Sequence, residues 1–347
     1  MAGDLPLTLE DVTAGWLTAA LSARYPGVEV SRVEVGDVIW GTATKVRLLL
    51  EHNTEQLPST MVLKAGLDAT MRALAGPGYA NEVRFYNELA PELVVNRPEC
   101  FYAATDSSTG QGVLLLEDLD ARGATYGNAT RPIGVDTAAA TLDMQARYHA
   151  HWWGDARLDA LGPGTASSET SGLVQHLFTP EHWARSMSLP RAEPVPDQLR
   201  DRDRVLTAVM SLWTGDGAGP HCFVHGDSHL GNMFFESDGR PGYLDWQGIT
   251  KGHWAQDVVY FLVGAIDVDD RRANERDLIA GYVDRLRANG APAPSFQEAW
   301  EIYRRHLLHG FLWVLCPPEM QPEEVCAANA LRFTTAVLDH GGLQAIT

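Results

Sequence analysis

His225-Gly-Asp-Ser-His-Leu-Gly-Asn232, with Leu244-Asp-Trp246 a little further on, is the stretch from which the fold can be read. Asp227 and Asn232 stand five positions apart. At that separation a carboxylate can take or orient the proton of an attacking hydroxyl while an amide oxygen ligates Mg²⁺, as phosphoryl transfer requires. Asp245 offers a second oxygen ligand of the kind a hard cation prefers. Cys222-Phe-Val224 reads as a short buried strand into the loop, Met233 to Phe235 as a strand out of it, and Ser237-Asp-Gly-Arg240 as a turn. Tyr243 and Leu244 are expected to form a return strand beside the first, which would bring Asp245 near Asn232.

Phosphoryl transfer also needs a cation on the nucleotide phosphates, commonly a strand lysine steadied by a helix glutamate. Ser59 to Ala65 reads as a strand with Lys64 near its end, and Asn81 to Ala90 as an amphipathic helix with Glu82 in its first turns. Taken singly, these two would be a snorkelling lysine and a solvated glutamate. With the downstream motif they become a natural pair.

On these residues the chain resembles the aminoglycoside phosphotransferase and choline kinase superfamily, small-molecule kinases of the protein-kinase-like fold. The resemblance rests on Lys64, on Glu82 within EVRFY, on LLLEDL at 114 to 119, on HGDSHLGN at 225 to 232, and on LDWQ followed by Asp257 in AQDVVYFL. EVRFY with DWQ and DVVYFL looks closest to the ecdysteroid-kinase-like branch. The resemblance implies an α+β, bilobal fold, with an antiparallel sheet and helices in the N-terminal lobe and a mainly helical C-terminal lobe. It implies ATP and Mg²⁺ as cofactors, Asp227 as the catalytic aspartate, Asn232 and Asp245 as the metal ligands, and Lys64 on the phosphates with Glu82 steadying it. His225 would brace the loop, and Asp257 would accept from its backbone amides. Glu117 and Leu119 lie where a hinge would offer its carbonyl and amide to adenine, with Leu116 behind them.

The chain departs from that pattern at the nucleotide-covering loop, where Val33 to Thr44 holds no G-x-G-x-x-G. Gly41 and Thr42 sit between two plausible strands, the second being Lys45 to Leu50, and would let backbone amides approach the phosphates. An ordinary hairpin turn serves the local sequence equally well. The Gly-Asp-Pro usual after the second metal ligand in the antibiotic branch is also missing. Three other classes compete: a non-catalytic nucleotide-binding regulator, a serine esterase of the GDS type with Ser228 as nucleophile, and a metallophosphoesterase, against which Met233 stands after Asn232 where a histidine would be needed. No Asp-x-x-His follows Ser228 to supply the esterase base, and the intact set of Lys64, Asp227, Asn232 and Asp245 speaks against a decayed regulator.

At 347 residues with 45% hydrophobic composition, the chain can bury two cores. A nucleotide-binding lobe is expected over 1–119, opening with a helix capped by Thr8 and Asp11, and a catalytic and substrate-binding lobe over 120–347. The stretches 162–168 and 191–196 read as loops. A formal net charge of −18 makes nucleic acid and anionic membrane poor partners. The start, MAGDLPLTLEDV, lacks the basic and apolar regions of a signal peptide, so a cytoplasmic enzyme is expected. Cys100, Cys222, Cys316 and Cys326 show no C-x-x-C spacing, which suggests reduced thiols and no zinc site. On a helix His149 shares a face with Trp152 or Trp153 while His151 points elsewhere, which reads as core packing with one polar edge, whereas His306, His309 and Trp313 share a helical face that could line an acceptor pocket. The expected acceptor is a small hydroxylated molecule, neutral or cationic.

Overall fold

The second strand of the chain shows how the sequence builds its first core: Val46, Leu48 and Leu50 are buried, while Lys45 just before them and Leu49 among them are exposed. That period-two pattern turns one face of a sheet inward. In the computed structural model, which describes residues 4–161, 172–216, 219–341 and 343–344, the chain forms two compact units. One is Met1–Thr125 with Leu244–Gln247, the other Tyr126–Tyr243 with Gly248–Thr347.

The first unit holds α1 (Ala14–Ser22) and a five-stranded sheet of order β1-β2-β3-β5-β4: β1 (Val30–Ile39), β2 (Thr44–His52), β3 (Thr60–Ala65), β4 (Cys100–Asp106) and β5 (Gln111–Glu117). Every pairing is antiparallel. Leu17 and Leu21 of α1 pack with Val46, Leu48, Met61, Leu63 and Leu115 on one face. Thr8 and Asp11 do form a capping box, but on a single 3₁₀ turn, Leu9–Asp11. The cap of α1 is Thr13, whose hydroxyl accepts from the Trp16 amide at 3.1 Å. On the other face lies α2 (Ala69–Arg84), capped by Asp68. The expected helix over 81–90 is thus the tail of a longer one. Glu82 sits in the last turn of α2, and Phe85–Leu89 continues it as a π turn. The helix can approach β5 because residue 112 is glycine; a Cβ there would lie 2.6 Å from the Tyr79 Cβ.

A two-residue strand, β6 (Thr125–Tyr126), falls where the first unit gives way in sequence to the second. The second unit is mainly helical: α3 (Val135–His151), α4 (Gly172–Leu177), α5 (Pro180–Met187), α6 (Arg202–Asp216), α7 (Trp254–Ala265), α8 (Val268–Ala288), α9 (Phe296–Gly310) and α10 (Glu323–His340). Almost every residue of α7 is buried, as expected of an all-round apolar helix at the centre of a core. The loop expected at 162–168 lies outside the described residues. At 191–196 the chain turns through a short 3₁₀ segment, Pro190–Ala192, whose Arg191 is buried against Glu323.

Four short strands, β7 (Cys222–Val224), β8 (Met233–Phe235), β9 (Pro241–Tyr243) and β10 (Thr250–Gly252), frame the central motif. Their pairing differs from the sequence reading. The return strand β9 lies beside β8, with Tyr243 opposite Met233, and the partner of β7 is β10. The turn explains this: the Glu236 amide donates to the Arg240 carbonyl at 2.9 Å, Gly239 has φ of 83°, and a tight hairpin joins only its own flanking strands.

Candidate phosphotransfer site

In the first unit, Lys64 is nearly the last residue of β3 and Glu82 faces it from α2, their Nζ and Oε2 2.5 Å apart. Both are buried, at 3% and 1% exposure. The Lys64 ammonium also reaches Asp245 Oδ1 at 2.9 Å. Burial opposes charge on Lys64, but Asp245 and Glu82 outweigh it and raise its pKa. Burial in turn pushes the Glu82 carboxyl upward despite the lysine. The segment bearing Asp245 is fixed by the same helix. Glu82 Oε1 accepts from the Trp246 backbone amide at 3.2 Å, the Asn81 side-chain Nδ2 donates to the Gln247 carbonyl at 3.3 Å, and Phe85 stacks on Trp246 at 4.0 Å. Asp245 holds φ of 58°. Left-handed backbone at a non-glycine residue costs energy and is retained where surroundings enforce it, frequently at functional positions.

Gly41 and Thr42 lie at the tip of the β1-β2 hairpin, and the Tyr79 hydroxyl donates to the Thr42 carbonyl. At the proposed hinge, the Glu117 amide donates to the Glu99 carbonyl at 2.8 Å, and the Leu119 carbonyl accepts from the Arg122 and Ala124 amides at 3.1 Å. Leu119 is buried, and the Glu117 carboxylate pairs with Arg122 at 2.8 Å.

In the second unit the central loop is held from beneath by Asp257, on the first turn of α7. Its carboxylate accepts from the His225 amide at 2.7 Å, the Gly226 amide at 3.0 Å and the Tyr148 hydroxyl at 2.7 Å, with His149 Nε2 at 3.3 Å. Burial alone would favour the neutral acid, but the bond from His149, the nearby His225 and the Tyr148 hydroxyl hold the Asp257 pKa below the ordinary value. Gly226 has φ of 78°, and a Cβ there would fall 2.1 Å from the Gly248 carbonyl oxygen, so only glycine fits. The buried His225 accepts the Asp227 amide on Nδ1 at 3.3 Å. Above this base the Asp227 side chain stands 48% exposed. Asn232 Nδ2 donates to both its carbonyl and its Oδ2 at 2.9 Å, which fixes the carboxylate orientation.

Ser228 is fully buried and its hydroxyl donates to the Asp257 carbonyl at 2.9 Å. It cannot meet an ester, so the GDS-esterase alternative fails on access. His149 packs in the core as expected and also touches Asp257. Of the three residues assigned to one helical face, only Trp313 turns toward the loop, and it lies on the 3₁₀ turn beyond α9 (Phe311–Leu315). Its ring meets His229 edge-on at 5.3 Å and stacks with Tyr260 at 6.2 Å, and its buried Nε1 has no hydrogen-bond partner among the described residues. Tyr260 is an aromatic the sequence reading overlooked. His309 Nδ1 accepts from Trp213 at 3.3 Å, while His306 pairs with Asp216 at 3.0 Å and contacts the Ile302 carbonyl at 2.8 Å. His253 stacks on His306 at 5.0 Å, completing a cluster of Asp216, His253 and His306 drawn from three distant segments. The four cysteines are unbridged.

Two buried histidines, His253 and His309, set a pH dependence. Burial lowers His253 to about 3 and His309 to about 4. The unfolded chain, titrating near the ordinary histidine value, takes up protons that the native state refuses. Stability is therefore present in full above about pH 6.5 and is lost as pH falls toward 4. Urea midpoints compared at about pH 7.5 and about pH 5 should be lower at the acid value; equal midpoints would contradict neutral buried imidazoles.

A buried lysine–glutamate pair against an antiparallel sheet in the first unit, and an Asp-x₄-Asn loop braced by a buried carboxylate in the second, are parts that phosphoryl transfer calls for. The chain belongs to the phosphotransferase enzyme family, whose pattern it matches over residues 58–305. Its fold is similar to an ethanolamine kinase of Plasmodium vivax (TM-score 0.52, 11% identity, 87% of this chain and 81% of that one). It is also similar to LicA in complex with AMP (TM-score 0.50, 16% identity, 96% of this chain and 99% of that one). A kinase-like protein of Caenorhabditis elegans is 27% identical over 90 residues, which make up 25% of this chain and 24% of the relative's own length. No helix among the described residues is long and apolar enough to cross a membrane.

Proposed function

We propose that this protein transfers the γ-phosphoryl group of ATP, in the presence of Mg²⁺, to a hydroxyl of a small molecule. The observation that carries the reading is the buried Lys64–Glu82 pair extended to Asp245. Burying ionised groups is costly, and such a triad is retained where its charge is used. Lys64 contacts the phosphates and Glu82 steadies it, with Gly41 and Thr42 covering the nucleotide and the Glu117–Leu119 backbone receiving adenine. Asp245 and Asn232 would hold Mg²⁺; their donors are all oxygen, which fits a hard cation, and the ion would supply neutralisation of phosphate charge. Asp227, exposed and oriented by Asn232, receives or orients the acceptor's hydroxyl proton.

The acceptor is neutral or cationic. His229, Tyr260 and Trp313 offer aromatic surface beside Asp227, and Lys251, the basic residue next to this region in sequence, is already paired with Asp159 at 2.5 Å. Amino alcohols and sterol-like alcohols therefore rank above phosphorylated sugars, in keeping with the ecdysteroid-kinase-like resemblance. The net charge disfavours nucleic acid, and four unbridged thiols accord with a cytoplasmic location. A panel of hydroxylated metabolites, including sugars, amino alcohols, sterols and aminoglycosides, scored by ADP release, tests the reading. Efficient turnover confined to anionic acceptors would overturn the acceptor class.

A further inference from the structure

We propose that Lys45 is a second phosphate-binding cation for the nucleoside triphosphate, standing in for the glycine-rich loop this chain lacks. This rests on the kinase reading above. In the β2-β3 ladder Lys45 is directly opposite Lys64, and opposed residues of an antiparallel pair project from the same face. The two ammonium groups converge on one carboxylate: Lys64 Nζ lies 2.9 Å from Asp245 Oδ1, and Lys45 Nζ 3.8 Å from Asp245 Oδ2. Their settings differ. Lys64 is buried and held by Glu82, whereas the Lys45 side chain is 45% exposed on a looser contact.

Charge explains why a second lysine matters. The Lys64 ammonium set against Glu82 and Asp245 leaves this group one negative charge in excess, in a protein already strongly acidic. A polyphosphate would be repelled by that cluster. Lys45 brings it to neutrality, and its flexible stem can move from Asp245 to a phosphate oxygen with little rearrangement. Its position agrees: it lies four residues beyond Gly41, just inside the hairpin whose tip Tyr79 ties at Thr42. Where a glycine-rich loop would offer several amides, this hairpin offers an ammonium.

The test compares the dissociation constants of ATP with Mg²⁺ and of AMP by calorimetry for the wild-type protein, Lys45→Met and Lys45→Arg. Lys45→Met is expected to weaken ATP about tenfold while AMP changes less than about twofold, since only the distal phosphates lose a charge-assisted contact. Lys45→Arg should keep ATP within about threefold, and thermal stability should be unchanged because the side chain is half-exposed. Unaltered ATP affinity in Lys45→Met, or equal losses for ATP and AMP, would reduce Lys45 to a surface ion pair and overturn the proposal. Failure of the wild-type protein itself to bind ATP would instead remove the kinase reading, and this inference with it.

Discussion

Asp227→Asn is expected to lower turnover by about 10²-fold or more while leaving ATP affinity nearly unchanged. The substitution keeps the shape of the side chain and the bond from Asn232 Nδ2 to the residue 227 carbonyl, which survives any change of side chain. What it removes is the basic carboxylate oxygen that now accepts from Asn232 at 2.9 Å. The loss should therefore fall on kcat, with little change in protein stability at an exposed position. Steady-state kinetics with a proven acceptor, alongside calorimetric ATP binding, separate the two effects. Near-wild-type turnover would remove Asp227 from the chemistry.

A second large effect is expected beneath the same loop, at Asp257→Ala. The carboxylate is 1% exposed and serves the amides of His225 and Gly226, the Tyr148 hydroxyl and His149. Deleting it leaves several buried donors without an acceptor, and stability should fall by roughly 3–5 kcal/mol. The His225–Asp227 turn would lose its floor, so whatever folded protein remains should also lose turnover. Urea denaturation followed by intrinsic fluorescence checks this, because Trp152 and Trp254 are buried in the same unit. A midpoint equal to that of the wild type would show that other groups satisfy those donors. Asp257→Asn should be milder, since its amide oxygen can still accept.

How far the sequence could be read depended on the range over which each feature is encoded. The octapeptide was legible because its determinants are local: a strand, a glycine that alone tolerates its φ, and an amide five residues from a carboxylate. Lys64 was legible from strand alternation. The length of α2 was not, because Gly76-Pro77-Gly78 carries the usual signature of a break, yet the helix runs through it. Packing of Tyr79 against Gly66 and Gly112 accompanies that persistence, a tertiary contact that no local propensity encodes. Strands of three residues have too little periodicity to announce their partners, which is why β9 was expected beside β7. Lys45 became visible only through cross-strand register. Tyr260 and Trp313 likewise converge on His229 from separate segments, and His306 and Trp313 part because Trp313 lies on the 3₁₀ turn beyond the helix that carries His306, which pairs with Asp216 instead.

The central claim is transfer of a phosphoryl group from ATP to an alcohol, and ³¹P NMR of a complete reaction tests it most directly. With ATP, Mg²⁺ and an acceptor drawn from the panel, the wild-type protein should produce a new phosphomonoester resonance on the acceptor together with ADP, and Asp227→Asn should produce neither at a comparable rate. ADP with inorganic phosphate alone across the whole panel, or ATP left intact, would contradict the account.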